Sequence, residues 1–517
     1  MNEYDVIIIG GGITGAGTAR DCALRGLKTL LVERFDLTNG ATGRNHGLLH
    51  SGARYAVTDR ESAEECIREN RIIRQIAPTC VDKTGGLFIS LPGDDPDYRK
   101  LFIRSCLDAG IKAEEISPEE ALALEPAINP AVVGAVRVPD ASVDPFRLTS
   151  ANILDATIHG AVVLTYKEVT GLIMENGRVE GIRMMDTRTG ETSEARAAVT
   201  VNAAGIWGHS IAAMAGIEVG MCPSKGSLLI FGHRINHMVI NRCRKPSDAD
   251  ILVPGGVVSV LGTTSSRVSF EECDNIRVTS DEVETLLREG AVLAPQLMHT
   301  RVLRAYAGVR PLVSSDDDPT GRSVSRGIVL LDHGTRDGLE GFVTITGGKL
   351  TCYRLMAERV TDLVCGKLGV QAHCQTAKLP LPGSESHRKE PKSDSLGRKA
   401  AENRHGARIS KMDFADKSEV LCGCEHVTRA EIEYAVKYLD VHNLIDLRRR
   451  TRVGMGTCQG SYCMAKVAKA LAEALGCPEK AGSFVRHYVA ERWKGITPVC
   501  WGETMREMEL MRKKYGK

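Results

Sequence analysis

The sequence predicts an α/β (α+β) fold, and three patterns carry that prediction. Val6–Ile9 is a β-branched run typical of a buried parallel strand, followed by a glycine turn and a helical pattern to about Arg25. Between about 220 and 340, short apolar runs alternate with turns, as in an antiparallel sheet. Helical periodicity returns near the C-terminus together with four closely spaced cysteines. We therefore expect a Rossmann-like nucleotide-binding domain, an inserted antiparallel-sheet domain and a small helical C-terminal domain.

Size and composition are those of a multidomain globular protein. At 517 residues the chain is too long for one core, so we expect two or three domains. A net charge of +2 gives no electrostatic reason to expect a nucleic-acid partner. We expect no signal peptide, and the longest uncharged stretch (6–19) is too short to cross a bilayer. Sixteen cysteines without an export signal indicate a reducing, cytoplasmic location.

The first βαβ unit carries a dinucleotide pattern. Gly10 permits a tight turn, Gly12 lets the backbone approach a pyrophosphate, and Gly15 lets helix and strand pack closely. The next strand, 30–32, ends on Glu33, whose carboxylate can accept hydrogen bonds from ribose hydroxyls. A glycine cluster alone often marks only a turn, but strand, helix and acid are all in place here. The pattern predicts dinucleotide binding without separating FAD from NAD.

Two further glycine-containing segments are candidates for cofactor contacts. Gly40–Arg44 follows the acidic residue and offers small side chains and backbone amides near a second phosphate. Gly347–Thr351 follows a predicted strand late in the domain and could bring amides to a flavin ring. Taken alone, each segment is better explained as a solvated loop.

Capping residues followed by proline mark two helix starts. They are Ser117-Pro118 and Asp144-Pro145, and the second helix is expected to end before Gly160. Residues 383–418 are rich in Ser, Lys, Glu, Arg and Asp and almost lack aliphatic side chains. This composition predicts a mobile linker, or a polar helix that docks weakly.

The four C-terminal cysteines indicate an iron–sulfur centre. Cys422 and Cys424 form a C-x-C pair, and Cys458 and Cys463 form a C-x-x-x-x-C pair about thirty residues later. Four thiolates suit a [2Fe–2S] centre, with two sulfurs on each iron. Zinc is the rival interpretation, but zinc sites favour C-x-x-C knuckles, which this segment lacks.

The segment between the cysteine pairs is predicted to form two helices, capped by Thr428 and Asn443. It ends in the basic run Arg448–Arg452. A solvated face is the usual explanation for such a run. Beside a thiolate cluster it could equally tune the redox potential or dock an acidic partner.

Seven segments together resemble the FAD-dependent glycerol-3-phosphate dehydrogenases. They are Asp5–Gly17, Glu33, Ala41–Gly43, His50–Tyr55, Val201–Trp207, Gly308–Leu312 and Gly347–Thr351. The added cysteine domain narrows the resemblance to the large catalytic (A) subunit of the anaerobic, three-subunit enzymes. That domain itself is similar to the bacterioferritin-associated ferredoxin-like [2Fe–2S] domains. The expected division is an oxidoreductase at 1–382, with its substrate domain at roughly 220–340, a linker at 383–418, the [2Fe–2S] domain at 419–475 and an extension at 476–517.

The resemblance implies two cofactors, FAD and a [2Fe–2S] cluster. The implied cluster ligands are Cys422, Cys424, Cys458 and Cys463. The implied FAD-binding positions are Gly10, Gly12, Gly15, Glu33, Ala41, Thr42, Gly43, Val169, Ala204, Gly205, Gly348, Lys349 and Leu350.

The implied reaction is oxidation of sn-glycerol 3-phosphate to dihydroxyacetone phosphate by hydride transfer to FAD. Arg54 and Arg310 match substrate-contacting positions, with Tyr55 beside them, and a guanidinium fork suits a phosphate dianion. Lys349 is expected close to the flavin and the substrate. His50 is the candidate catalytic base, with His46 nearby, although a structural role is equally typical of each histidine, and the base stays open.

The resemblance also implies partners. Electrons would pass through the cluster to B- and C-type subunits and then to a membrane quinone, so the protein would be cytoplasmic and held peripherally at the inner face of the membrane. Two other interpretations are a stand-alone oxidase that reduces oxygen, and an iron-handling or docking module on an inactive flavoprotein fold. The presence of Arg54, Arg310 and Lys349 argues against the latter.

Overall fold

The computed structural model describes residues 3–313, 327–384, 395–412, 414 and 417–515. The strands are β1 (Glu3–Ile9), β2 (Thr29–Val32), β3 (Leu48–Leu49), β4 (Val81–Asp82), β5 (Gly86–Ser90), β6 (Glu114–Ile116), β7 (Gly134–Val138), β8 (Ala141–Val143), β9 (Val162–Leu164), β10 (Lys167–Glu175), β11 (Arg178–Asp186), β12 (Thr192–Asn202), β13 (Met221–Phe231), β14 (Val239–Arg242), β15 (Ile251–Gly255), β16 (Val258–Gly262), β17 (Ser266–Arg267), β18 (Val302–Val313), β19 (Ile328–Asp332), β20 (Phe342–Gly347), β21 (Val420–Cys422) and β22 (Val427–Thr428).

The helices follow the same chain order. They are α1 (Ile13–Leu24), α2 (Arg60–Ile76), α3 (Pro96–Asp108), α4 (Pro118–Leu124), α5 (Pro145–Ile158), α6 (Gly208–Ala213), α7 (Ser280–Leu293), α8 (His333–Asp337), α9 (Tyr353–Leu368), α10 (Leu396–His405), α11 (Arg429–Tyr438), α12 (Leu444–Thr451), α13 (Met464–Ala474), α14 (Ala481–Ile496) and α15 (Gly502–Tyr515). Within the described ranges, none of them combines the length and the apolarity needed to cross a bilayer.

The first sheet confirms the Rossmann-like prediction. Its strands lie in the order β10-β11-β12-β1-β2-β9, and β20 joins beside β12. The pairings of β1 with β2 and β12, and of β2 with β9, are parallel. Val6 and Ile8 pack in the core on one face of β1, and Ile7 and Ile9 pack in the core on the other. Burial of both faces explains why this strand is an unbroken apolar run.

The predicted helix boundaries in this domain are confirmed. Helix α1 ends at Leu24, just before Gly26, whose φ of +80° suits a residue without a side chain. Ser117 accepts a hydrogen bond from Glu120 N at the start of α4. Asp144 Oδ1 accepts bonds from the first amides of α5. These caps satisfy amides that the helix leaves unpaired.

The second sheet is largely antiparallel but extends beyond the predicted range of 220–340. Its order is β17-β13-β16-β15-β14-β5-β7-β6, with β18 on the other side of β13, so three early strands belong to it. Strands β19 and β20, near the end of that range, pair with each other in the first sheet. The link between the early and late strands is a parallel pairing of β14 with β5. Local sequence patterns carry no signal for such a distant pairing.

The cysteine domain (residues 419–475) is a small helical unit around the hairpin β21-β22. Thr428 and Asn443 cap α11 and α12 as predicted. Part of the predicted linker is the helix α10, and residues 385–394 lie outside the described residues. Near the end of α10, Arg404 forms a two-point ion pair with the buried Glu431 of α11, at 2.7 Å from each carboxylate oxygen.

The basic run of the cysteine domain docks onto acids of the same chain. Arg449 and Arg450 both bind the buried Asp36, which follows β2. Arg452 binds Asp144 Oδ2 at 2.6 Å, on the carboxylate that also caps α5. These three arginines therefore dock against acidic side chains, as one of the interpretations from sequence allowed. The acids belong to the nucleotide-binding domain of the same chain, called the flavin-side domain below.

A buried ion pair within the first domain gives a test of its packing. Arg20 Nε lies 2.6 Å from Asp155 Oδ2, and this pair joins α1 to α5. Removing one partner leaves an unpaired buried charge, so Asp155→Ala should lower the free energy of unfolding by about 3–5 kcal/mol. Glu64→Ala, which breaks the exposed pair with Arg60, should change it little. Urea-unfolding midpoints of the two variants would measure this, and equal midpoints would contradict the argument.

Candidate functional site

A cavity of about 600 Å³ lies at the carboxyl ends of β1 and β2, where α1 begins. In a doubly wound sheet this edge is where ligands bind. The predicted cofactor positions on its wall are Gly10, Gly12, Glu33, Ala41, Thr42, Val169, Ala204, Gly205, Gly348, Lys349 and Leu350. Gly15 and Gly43 are not among the described residues that line it. They serve the packing behind the wall.

The glycines of the first turn are required by close backbone contacts. Gly10 has φ +115°, and a side chain there would lie 2.6 Å from Ala203 O. A Cβ on Gly15 would lie only 1.9 Å from Gly10 O. At Gly12 it would approach Thr42 Oγ1, which accepts a hydrogen bond from Ile13 N at 3.1 Å. The turn thus leaves a bare backbone and a helix N-terminus facing the cavity, which suits a pyrophosphate.

Glu33 is held by the backbone at the end of β2. Its Oε2 accepts a bond from Gly11 N at 2.7 Å, and its Oε1 accepts one from Phe35 N at 2.9 Å. Burial raises the pKa of the Glu33 carboxyl above its ordinary value, and the two amide donors oppose that shift. Each oxygen keeps a second acceptor position, so the oriented carboxylate can still receive ribose hydroxyls.

Arg310 lines the same cavity from β18, opposite Ser224 of β13. Its Nη1 donates to Ser224 Oγ at 3.1 Å and to Lys225 O at 3.0 Å. Its Nη2 donates to Thr263 Oγ1 at 2.7 Å. These hydrogen bonds fix the position of the guanidinium on the cavity wall.

The remaining predicted residues near Arg310 form a second group on the wall. Lys349 Nζ donates to Ser62 Oγ at 2.8 Å and lies 4.6 Å from the centre of the Tyr55 ring. The His50 ring is centred 5.3 Å from that of Tyr55, and His50 is buried. The structure thus brings Lys349, Tyr55 and His50 together on a cavity that Arg310 also lines.

Arg54 and His46 are placed differently from each other. Arg54 is not among the described residues that line the cavity, and its Nη2 lies 3.5 Å from both Asp250 Oδ2 and Ser247 O. His46 does line it, and its Nδ1 accepts a bond from Leu48 N at 3.2 Å. That bond makes Nδ1 the unprotonated nitrogen of the neutral ring.

Sequence reasoning missed the hydroxyl residues that hold Arg310. They are Ser224, Thr263 and Ser265, the last at 3.3 Å from Nη1. Gly226 gave a signal that could have found this pocket, since a Cβ there would lie 2.5 Å from Arg310 Nη2. A glycine inside a long apolar strand often marks such a close approach.

The four predicted cysteine ligands lie together on two loops. The Sγ atoms of Cys424 and Cys458 are 3.6 Å apart, and the Cys463 thiol contacts both Cys422 and Cys458. A side chain on Gly456 would meet Cys424 Cβ at 2.4 Å. In the described ranges, no group of three or more Cys, His, Asp or Glu side chains is arranged to hold a single metal ion. Four thiols on two neighbouring loops are the number that a [2Fe–2S] centre takes, two per iron.

Local donors prepare two of these thiols as ligands. The Cys463 thiol and the amides of Gly460 and Tyr462 lower the pKa of Cys458 to about 5. The Cys463 thiol and the amides of Gly454 and Glu425 lower the pKa of Cys422 to about 7. The same contacts with Cys422 and Cys458 raise the pKa of Cys463, and burial raises the pKa of Cys424, so among the four the thiolate form is favoured at Cys422 and Cys458 alone.

The close contact at Gly15 predicts a loss of flavin. Gly15→Ala should give protein with little bound FAD, because the added methyl group would push α1 away from the turn. Gly366→Ala, in α9 with no atom within 4 Å of the added Cβ, is the matched control and should keep its FAD. The ratio of flavin to protein absorbance measures the outcome. Equal flavin in both variants would contradict the prediction.

The thiol arrangement predicts separable cofactors. Cys458→Ser should lose iron and acid-labile sulfide while keeping FAD, since Cys458 belongs to the cysteine domain alone. Cys477→Ser, at a partly buried cysteine outside the four, should keep both. Iron, sulfide and flavin analysis of anaerobically purified protein provides the readout. Unchanged iron in Cys458→Ser would refute the ligand assignment.

Comparison with known proteins identifies the families of both parts of the chain. The FAD dependent oxidoreductase family matches residues 5–354, and the BFD-like [2Fe-2S] binding domain matches residues 420–473. The chain is 58% identical over 524 residues to the A subunit of the anaerobic glycerol-3-phosphate dehydrogenase from Escherichia coli K12, covering 99% of this chain and 96% of that protein. It is 57% identical over 521 residues to the protein of the same name from Haemophilus influenzae, covering 99% of this chain and 92% of that protein.

A solved structure shares the fold. The glycerol-3-phosphate dehydrogenase from Bacillus halodurans complexed with FAD superposes with a TM-score of 0.60 at 22% identity, covering 99% of this chain and 95% of that one. FAD and a [2Fe–2S] cluster are the cofactors of this chain. When bound, FAD supplies a two-electron acceptor and the cluster a one-electron carrier. The chain belongs to the FAD-dependent oxidoreductases and, within them, to the family of anaerobic glycerol-3-phosphate dehydrogenase A subunits.

Proposed function

We propose that this chain oxidises sn-glycerol 3-phosphate to dihydroxyacetone phosphate by hydride transfer to FAD. The electrons then pass through the [2Fe–2S] cluster to B- and C-type partner subunits and on to a membrane quinone. The partner subunits hold the chain peripherally at the inner face of the cell membrane. The observation that carries the proposal is the Arg310 guanidinium, held on the wall of the flavin cavity by hydrogen bonds to Ser224, Lys225 and Thr263. The name of the related bacterial proteins supports the substrate.

Arg310 suits the phosphate end of the substrate. Both terminal nitrogens of Arg310 already donate to protein oxygens. The residue would therefore attract the phosphate mainly through its fixed positive charge and less through two parallel hydrogen bonds. The hydroxyls of Ser224 and Thr263, which accept from it, can donate to phosphate oxygens. Arg54, the second predicted contact, reaches the substrate only by leaving Asp250.

The proton of the substrate's C2 hydroxyl needs an acceptor on the same wall. His50 is the candidate base because its buried ring lies beside Tyr55 on the cavity. Lys349 is oriented by Ser62 Oγ and the Tyr55 ring, so its ammonium can stabilise negative charge that develops on the substrate oxygen or the cofactor.

The cluster side of the chain supports an electron exit to a partner. Cys424 and Cys458 are only partly buried, and Tyr462, between the two cysteines of the second loop, is 86% exposed. A one-electron carrier near the surface suits transfer to a neighbouring protein. In a complex with its partners, Cys458→Ser should therefore stop quinone reduction while the flavin still bleaches with substrate.

The role of Arg310 predicts a selective loss of substrate affinity. In Arg310→Gln the KM for sn-glycerol 3-phosphate should rise roughly hundredfold, because a buried charge partner of the phosphate is lost, with FAD content unchanged. Arg310→Lys should recover part of the loss. Arg183→Gln, at an exposed arginine of β11, is the control. Anaerobic mixing with the ester, followed by flavin bleaching, measures each variant.

Two outcomes would overturn the proposal. If wild-type flavin fails to bleach with the ester, the substrate assignment is wrong. If Arg310→Gln loses FAD and ester binding equally, Arg310 supports the fold and not the substrate. Hydrogen peroxide formed in stoichiometric yield under air would identify a stand-alone oxidase in place of the electron relay.

A further inference from the structure

A second cavity, of about 390 Å³, lies between the flavin-side domain and the cysteine domain with its extension. Arginines from both sides line it: Arg44 and Arg304 from the flavin side, Arg448 of α12 and Arg492 of α14 from the other. Within the described part of the chain, seven arginines and three carboxylates face this space.

Several of these guanidinium groups are deeply set in the wall. The Nε atoms of Arg304, Arg448 and Arg492 are buried and have no hydrogen-bond partner among the described residues. Arg492 is only 5% exposed, and its Nη1 donates to Ser461 Oγ at 3.2 Å. Burying several arginines beside each other is costly unless negative charge compensates them. An anion in the cavity would supply that charge.

The acids on the cavity wall are already engaged. Asp144 pairs with Arg452, Asp82 with Arg234 and Glu491 with Lys494. Of the other arginines, Arg449 is paired with Asp36, and Arg44 and Arg304 have the more distant Glu491 as an opposite charge. Burial, followed by repulsion from Arg304, lowers the pKa of Arg448 to about 9, and burial with repulsion from Arg449 lowers the pKa of Arg44.

Other groups on the wall describe the rest of the ligand. Gln459 is 1% exposed, and its Nε2 donates to Met455 O and Gly456 O, so its side chain is a fixed part of the wall. Phe146, Tyr306 and Tyr488 supply flat apolar surface. A volume of this size exceeds one inorganic anion and suits a small organic molecule.

We propose that this cavity binds a phosphate-bearing anion of about mononucleotide size, distinct from FAD, with its phosphate held by Arg44, Arg304 and Arg448. Arginine suits this task because its fork matches phosphate oxygens. Since the residues come from both domains, the ligand joins them. Arg44, Asn45 and His46 also line the flavin cavity, so the two cavities share a wall. The inference makes no use of the proposed substrate.

Phosphorus analysis of the purified full-length holoprotein tests the proposal. FAD contributes two phosphorus atoms, so the wild type should contain at least three per FAD, and Arg304→Gln/Arg448→Gln should fall to two with FAD and iron retained. Arg288→Gln, at an exposed arginine outside the cavity, should match the wild type. Free phosphate in the acid extract, assayed before and after ashing, separates inorganic from organic phosphate.

A second measurement covers ligand lost during purification. AMP at millimolar concentration should raise the thermal unfolding midpoint of the wild type and of Arg288→Gln. In the double variant, at least a tenfold higher AMP concentration should be needed for the same rise. Inorganic phosphate and chloride at equal ionic strength serve as the other probes. The proposal would be overturned if the wild type contains two phosphorus atoms per FAD and no probe raises its midpoint more than that of the double variant. It would also be overturned if the additional phosphate is entirely inorganic.

Discussion

The burial of Asp36 between two arginines determines where the cysteine domain sits. Asp36 is 1% exposed and receives Arg450 Nη2 at 2.5 Å and Arg449 Nη1 at 2.8 Å. A carboxylate in such a place is tolerated only when paired, and removing one side of a buried pair costs about 3–5 kcal/mol. Asp36 shares its loop with Glu33, which faces the flavin cavity. One short loop therefore fixes the cluster domain relative to the nucleotide site.

The local parts of the fold follow from the sequence, and the distant pairings do not. The run Val6–Ile9, the end of α1 before Gly26 and the cap at Asp144 each depend on neighbouring residues, so their patterns were sufficient. The second sheet depends on β14 finding β5. No periodicity in either strand encodes that partner, and the range of 220–340 was too narrow for this reason.

The candidate site divides in the same way. Gly10 and Glu33 were recognisable because glycine and acid occur at fixed places in a βαβ unit. The hydroxyls around Arg310 come from β13 and from the loop after β16, and only folding brings them to β18. The sequence shows that Arg448–Arg452 is basic, but it does not show which of these arginines are paired. That depends on which face of α12 meets the other domain: Arg449 pairs with Asp36, whereas the Nε of Arg448 has no acceptor among the described residues.

The distribution of charge around this interface argues that it does more than hold two domains together. If docking alone shaped it, each arginine would meet a carboxylate, as Arg450 and Arg452 do. Instead, Arg304 and Arg448 are partly buried on the wall of a cavity, and their buried Nε atoms have no acceptors among the described residues. Burying such charges lowers stability unless a ligand compensates them. This cavity shares a wall with the flavin site and is lined by both domains. A ligand bound there would therefore affect the distance between the two redox cofactors.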